Sequence, residues 1–285
     1  MASRLPSSMA VSVSEKESSK FAQAGPYKVH YHDSGQGSAV IMLHGGGPGA
    51  SGWSNFHKNV DAFSVEHRVL LVDMLNFGKS EAVIFDDEPS TTVRARAIRD
   101  LMDSLGIQRA SLVGNSLGGT VALAFAVDFP ERVDRLVLMG PAGLSRTVIA
   151  PQPTEGHKLL RAAAANPSLE TMQALVNVML YDPSVVSKET IESRVAAAKD
   201  REQREAAEKS TAPQRDQRDE YPKVTAKTLI IWGREDRVNP LEIGMRLLRD
   251  IPDCRLLVFK NCGHWAQIEH SEEFNDVSLN FLAGD

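Results

Sequence analysis

The sequence holds two cysteines in 285 residues, Cys254 and Cys262, too few for a disulfide framework and without the Cys/His spacing of a zinc site. Basic excess is also missing. The 32 Lys and Arg against 37 Asp and Glu leave a net charge of -5, which argues against nucleic acid and anionic membrane as partners. No apolar run reaches the roughly 18 residues that a membrane-spanning helix needs. The N-terminal stretch MASRLPSSMAVSVSEKESSK lacks the continuous apolar segment of a signal peptide. These absences predict a cytoplasmic protein in a reducing compartment, with a flexible tail over residues 1–20 and no nucleic-acid or membrane partner. What remains, 42% hydrophobic and 24% charged, is ordinary for a globular enzyme whose chain can bury one core and carry an insertion. A homo-oligomer is compatible with the sequence.

Short apolar runs predict buried strands at Ala39–Leu43, Arg68–Met74, Ala110–Gly114, Val133–Met139, Thr228–Gly233 and Arg255–Phe259. Between them, Thr91–Leu105, Leu117–Phe129, Leu241–Ile251 and Glu272–Leu282 carry apolar residues at spacings of three and four, the pattern of helices with one buried face. Such alternation implies an α/β fold, a mostly parallel twisted sheet flanked by helices. It breaks over residues 144–222, where no strand is evident and the periodicity is helical, so an inserted helical cap is expected between core segments 21–143 and 223–285. Within it, Leu169, Met172, Leu175, Val176 and Met179 form an apolar stripe expected to pack the cap. Residues 199–223, charged at more than half their positions, read as solvated helix and loop.

Gly114-Asn115-Ser116-Leu117-Gly118-Gly119 follows a predicted strand and opens a predicted helix, the context a nucleophile elbow requires. A serine is a weak nucleophile until a base takes its proton. His264, in a loop directly after the last predicted strand, has the best setting of the eight histidines; the other seven read as surface or packing residues. The base in turn needs an acid, and Asp236 stands just beyond Thr228–Gly233, with Glu235 and Asp73 as weaker competitors suited to turn or helix-terminus roles. The chain order Ser, Asp, His is that of α/β-hydrolases. His44-Gly45-Gly46-Gly47 resembles an oxyanion loop, which assigns the amides of Gly46 and Leu117 to the developing negative charge. No phosphate-loop Lys follows these glycines, and no metal or cofactor is implied.

Five ordered segments, HGGGPGASGWSN at 44–55, GNSLGG at 114–119, LMGPAGL at 138–144, WGREDRVNP at 232–240 and NCGHWAQIEH at 261–270, together resemble the meta-cleavage product hydrolases. The resemblance is nearest to the branch acting on biphenyl ring-fission products and runs from about Tyr27 to Leu282. It implies the α/β-hydrolase fold and a small aromatic ring-fission product as partner: a 2-hydroxy-6-oxo-hexa-2,4-dienoate, cleaved by water to 2-hydroxypenta-2,4-dienoate and a carboxylic acid such as benzoate. It also implies a triad of Ser116, Asp236 and His264, an oxyanion hole of Gly46 and Leu117, and substrate contacts from Gly45, Gly46, Gly47, Asn55, Asn115, Ser184, Arg194 and Trp265. Chemistry supports Arg194 independently, because a dienoate carboxylate suits a bidentate cation on a predicted helix, Lys188–Lys199. A carboxylesterase could use the same triad without the carboxylate anchor, and a non-catalytic receptor could keep the fold alone.

Overall fold

The computed structural model describes residues 12–142 and 150–284. Eight strands form one sheet: β1 Ser19–Ala24, β2 Tyr27–Ser34, β3 Ser38–Leu43, β4 His67–Val72, β5 Ala110–Asn115, β6 Val133–Met139, β7 Lys227–Gly233 and β8 Cys254–Phe259. Their spatial order is β1-β2-β4-β3-β5-β6-β7-β8. β3 pairs in parallel with β4 and β5, and β5 to β8 continue in parallel. β1 and β2 form an antiparallel hairpin that lies against β4 at one edge.

The central strands read as unbroken apolar runs because both of their faces are covered. Side chains alternate along a strand. Ile41 and Leu43 of β3 therefore enter one cluster while Val40 and Met42 enter the other, and Leu70 and Val69 of β4 divide the same way. Each such fully buried aliphatic side chain contributes roughly 1.5–3 kcal/mol of transfer free energy.

The helices, in chain order, are α1 Glu15–Ser18, α2 Gly52–Phe56, α3 Val60–Phe63, α4 Ser90–Ser104, α5 Leu117–Asp128, α6 Glu155–Ala165, α7 Leu169–Met179, α8 Lys188–Ala197, α9 Arg201–Lys209, α10 Leu241–Asp250, α11 Ala266–Glu269 and α12 Ser271–Ala283. Residues of α4, α5 and α10 fill the first cluster; those of α2, α3, α11 and α12 fill the second. A third cluster joins Met172, Leu175, Val176 and Met179 of α7 to Ile191 of α8. It reaches the core through Val238, Trp265 and Ile268. No described helix is long and apolar enough to cross a membrane.

Several expectations need correction. The hairpin β1–β2 was not signalled by the sequence, because polar residues interrupt its apolar ones, although Ala24, Val29 and Tyr31 are buried in the first cluster. The tail expected to be flexible through residue 20 is ordered at its end: Ser14 caps α1, and the buried Ser18 hydroxyl lies 2.9 Å from His32 Nδ1. In the α7 stripe, Leu169 is exposed at the helix start while the other four positions are buried. The charged segment is not wholly solvated. α9 is largely exposed, yet Gln217 is buried with its amide on Thr120 O, and Arg215 pairs with Asp128 and Glu220, so the chain folds back onto the core. The start of the expected cap, residues 144–149, lies outside the described residues.

Candidate active site

β5 ends at Asn115 and α5 begins at Leu117, so Ser116 alone makes the reversal, at φ 51° and ψ -114°. A non-glycine residue held there costs on the order of 1–3 kcal/mol and marks a site that the surrounding structure over-determines. The flanking glycines show why the turn closes. A Cβ on Gly118 would stand 2.0 Å from Leu43 O, and one on Gly114 would stand 2.6 Å from Gly118 O. Side chains at either position would push the elbow off the sheet. Ser116 itself is half-buried, with its amide donating to Met139 O at 2.8 Å.

At the tip of β7, Asp236 receives three donors. Its Oδ1 accepts the amides of Val238 at 2.8 Å and Asn239 at 2.9 Å, and its Oδ2 lies 2.7 Å from His264 Nδ1. A carboxylate so engaged can only accept, which puts the ring proton on Nδ1 and leaves the Nε2 lone pair as a base. His264 is buried and its loop is clamped from both sides. Its amide donates to Met179 O at 2.6 Å, and Gly263 N donates to Glu269 Oε1 at 2.7 Å. Glu269 also accepts the amide of Tyr181 at 2.7 Å, so the α7 terminus and the histidine loop share one carboxylate.

Ser116 and His264 line a cavity of about 430 Å3 together with Gly45, Gly46, Gly47 and Leu117. Gly46 approaches Leu117 so closely that a Cβ there would meet the leucine side chain at 3.0 Å. Leu117 is the first residue of α5, where a helix leaves its amide without an intrahelical acceptor. The loop is braced by His44, which is fully buried: its Nδ1 donates to Gly45 O at 2.8 Å while its Nε2 accepts from Met74 N at 3.0 Å. Burial pushes this imidazole down to about 4, and it stays neutral in that donor-acceptor role.

Arg194 of α8 is buried beside this loop. Its guanidinium donates to Pro48 O at 3.2 Å and reaches Ser54 Oγ at 3.5 Å, and it lies 5.1 Å from the Trp265 ring. Nε has no partner, and among the described residues no carboxylate pairs with the side chain. Burial pushes its guanidinium down to about 10. An unpaired buried cation costs several kcal/mol, which an anion entering the cavity would offset. Asn115 faces the same space with Oδ1 unpartnered, its Nδ2 held by Met139 O and His264 O. Asn55 lines the cavity with its Oδ1 on Gln267.

Of the substrate contacts expected from sequence, Gly45, Gly46, Gly47, Asn55, Asn115, Arg194 and Trp265 all line the cavity. Ser184 does not. It is exposed on the turn Pro183–Val185, its amide held by Asp182, because the chain leaving α7 turns outward there. Three polar lining residues were missed: His157, read as a surface or packing histidine, Asn239, and Gln214 from the charged segment. The packing of α6 and of the chain after α9 brings His157 and Gln214 to the cavity, and no local motif signals it. The competing acids have other tasks. Glu235 accepts Cys262 N at 3.0 Å and pairs with Arg234. Asp73 is buried rather than solvated, bound to His30 Nδ1 at 2.7 Å and to the amide of Gly52 at the start of α2.

Comparison with known proteins agrees with this geometry. Residues 39–271 match the alpha/beta hydrolase fold family. The chain is 44% identical over 282 residues to a 2-hydroxy-6-oxo-6-phenylhexa-2,4-dienoate hydrolase from Burkholderia cepacia, covering 95% of this chain and 98% of the relative. It is 42% identical to a 2-hydroxy-6-oxononadienedioate/2-hydroxy-6-oxononatrienedioate hydrolase from Comamonas testosteroni, covering 96% and 95%. Among solved structures, a meta-cleavage product hydrolase from Pseudomonas fluorescens superposes with a TM-score of 0.80 at 33% identity, over 94% of this chain and 99% of the other. The elbow, the cavity and these likenesses converge: the chain belongs to the meta-cleavage product hydrolases of the α/β-hydrolase fold, a family of carbon-carbon bond hydrolases.

Proposed function

We propose that the protein hydrolyses the C5–C6 bond of a 2-hydroxy-6-oxo-hexa-2,4-dienoate bearing an aryl group on C6, giving 2-hydroxypenta-2,4-dienoate and an aromatic acid. The observation that carries this reading is Arg194, a buried cation without a carboxylate partner among the described residues, which opens onto the cavity that Ser116 and His264 share. A plain carboxylesterase has no use for that charge. Helices α6 to α9 act as a cap over the carboxyl edge of the core.

In this mechanism the substrate carboxylate sits on Arg194 and the C6 ketone faces the amides of Gly46 and Leu117. The dienol first becomes its keto tautomer, with His264 Nε2 carrying the proton from the C2 hydroxyl toward C5. Ser116 Oγ then adds to C6 as His264 takes its proton, and the ketone oxygen gains the negative charge. Collapse of that adduct breaks C5–C6. The released pair enters the conjugated enolate, which is protonated to the product, and the C6 fragment remains as an ester on Ser116. Water activated by His264 attacks this ester and frees the acid and the serine.

Purified protein mixed with the 6-phenyl dienoate should bleach its dienolate absorbance and yield benzoate and hydroxypentadienoate in equal amounts. Hydrolysis of p-nitrophenyl acetate with the dienoate left intact would instead make the protein an esterase.

A further inference from the structure

Resting on that reading, we propose that the substrate's C6 substituent carries a hydrogen-bond donor, such as a ring hydroxyl, which His157 Nε2 accepts with Asn239 beside it. The sheet order sets where each end of the substrate lies. β3, β5, β6 and β7 stand side by side. Arg194 is held over the tip of β3, on Pro48 O and Ser54. Ser116 follows β5. Gly140 follows β6, and Asp236 to Asn239 follow β7. A substrate anchored at Arg194 and attacked at Ser116 therefore extends its substituent toward the tips of β6 and β7.

That end of the cavity is polar in part, beside Val238. His157 lies in the first turn of α6 and is docked there by the cap residue Thr154, whose hydroxyl donates to Val238 O at 2.9 Å. A threonine hydroxyl has one proton. Since that proton is spent on a carbonyl, Thr154 Oγ1 can only accept at its 3.0 Å contact with His157 Nδ1. The ring proton is thus on Nδ1, and Nε2 offers a lone pair. Burial, with the neighbouring His264 second, holds this imidazole below its ordinary value, so the neutral form is the one present at pH 7. Asn239, itself buried with Nδ2 on Gly140 O at 2.8 Å, lines the cavity together with this ring. An unsubstituted phenyl would desolvate this acceptor and return nothing; a ring hydroxyl would satisfy it.

The test compares kcat/KM of the 6-phenyl dienoate with those of its three monohydroxyphenyl isomers, in the wild type and in His157→Leu. At least one isomer should exceed phenyl by about three- to tenfold in the wild type, the worth of one neutral hydrogen bond. His157→Leu should erase that preference, read as the ratio of hydroxyphenyl to phenyl kcat/KM within the variant, and a far-ultraviolet circular dichroism spectrum like that of the wild type shows it to be folded. His157→Gln, which keeps an acceptor, should retain part of the preference and serves if the leucine variant loses phenyl turnover. Phenyl outranking all three isomers in the wild type would overturn the proposal without any variant. So would a preference unchanged in His157→Leu. If no dienoate is cleaved, the carbon-carbon hydrolase reading itself falls; if phenyl is cleaved without these differences, only the role of His157 does.

Discussion

Arg194 lies over the Trp265 ring at 5.1 Å, next in sequence to the histidine that Asp236 orients. The cation is thereby fixed relative to the base, and the distance from substrate carboxylate to attacked carbon is set by packing. Arg194→Gln should lower kcat/KM for dienoates by on the order of 2–5 kcal/mol of transition-state stabilisation, the usual loss for a desolvated charge pair. Hydrolysis of p-nitrophenyl acetate should barely change, since that ester has no carboxylate. The folded state should not suffer either, because the substitution removes an unpaired buried charge. Equal fractional losses on both substrates, with a lowered Tm, would mean that Arg194 holds the cap together and does not anchor substrate.

Ser116→Ala should abolish steady-state cleavage while leaving dienoate binding nearly intact, because the Arg194, Asn115 and glycine-loop contacts are untouched. The variant relieves no backbone strain, since alanine also carries a Cβ at φ 51°. Titration of the variant with the 6-phenyl dienoate, followed by the shift of its absorbance, measures the binding. Turnover near the wild-type rate would remove Ser116 from the chemistry.

How much of this was legible beforehand depends on the range of the interaction that fixes each feature. The elbow was readable because Gly114, Ser116 and Gly118 meet steric demands within one strand-turn-helix unit. Asp236 and His264 were readable because each follows directly on a strand, at the sheet edge where such residues gather. β1 and β2 were not, since an edge hairpin that buries only Ala24, Val29 and Tyr31 among its apolar residues, between polar ones, leaves no apolar run. His157 and Gln214 escaped for another reason: His157 reaches the cavity from α6 and Gln214 from the irregular chain after α9, and in both cases only tertiary packing brings it there. Ser184 failed in the opposite direction, being assigned by family likeness while the turn after α7 points it to solvent.

His264→Ala should remove cleavage and also slow the tautomerisation that precedes it, because the same Nε2 is the base available for both proton movements. Stopped-flow absorbance separates the two stages. Ketonisation at the wild-type rate in this variant would assign the first proton transfer elsewhere and leave the later serine chemistry as proposed.

The last prediction concerns acid stability and comes from two buried histidines outside the chemistry. Burial pushes His44 down to about 4, and burial with His30 nearby pushes His32 down to about 4 as well. In the unfolded chain both titrate near their ordinary value of 6.5. Between those limits the unfolded chain binds protons that the folded protein refuses, so folding free energy falls as pH drops through that window. It is fully present above 6.5. Each displacement is worth roughly 3 kcal/mol at most, at 1.36 kcal/mol per pK unit. Burial holds His57 and His157 below their ordinary value as well, which acts in the same sense, whereas Glu269, whose carboxyl burial pushes up, acts in the opposite one. Urea unfolding between pH 7.5 and pH 4.5 should therefore show a steady loss of stability, and His32→Gln should reduce its slope by removing one of these titrations. A flat profile over that range would mean that these imidazoles are protonated in the folded protein and that the donor-acceptor role given to His44 is wrong.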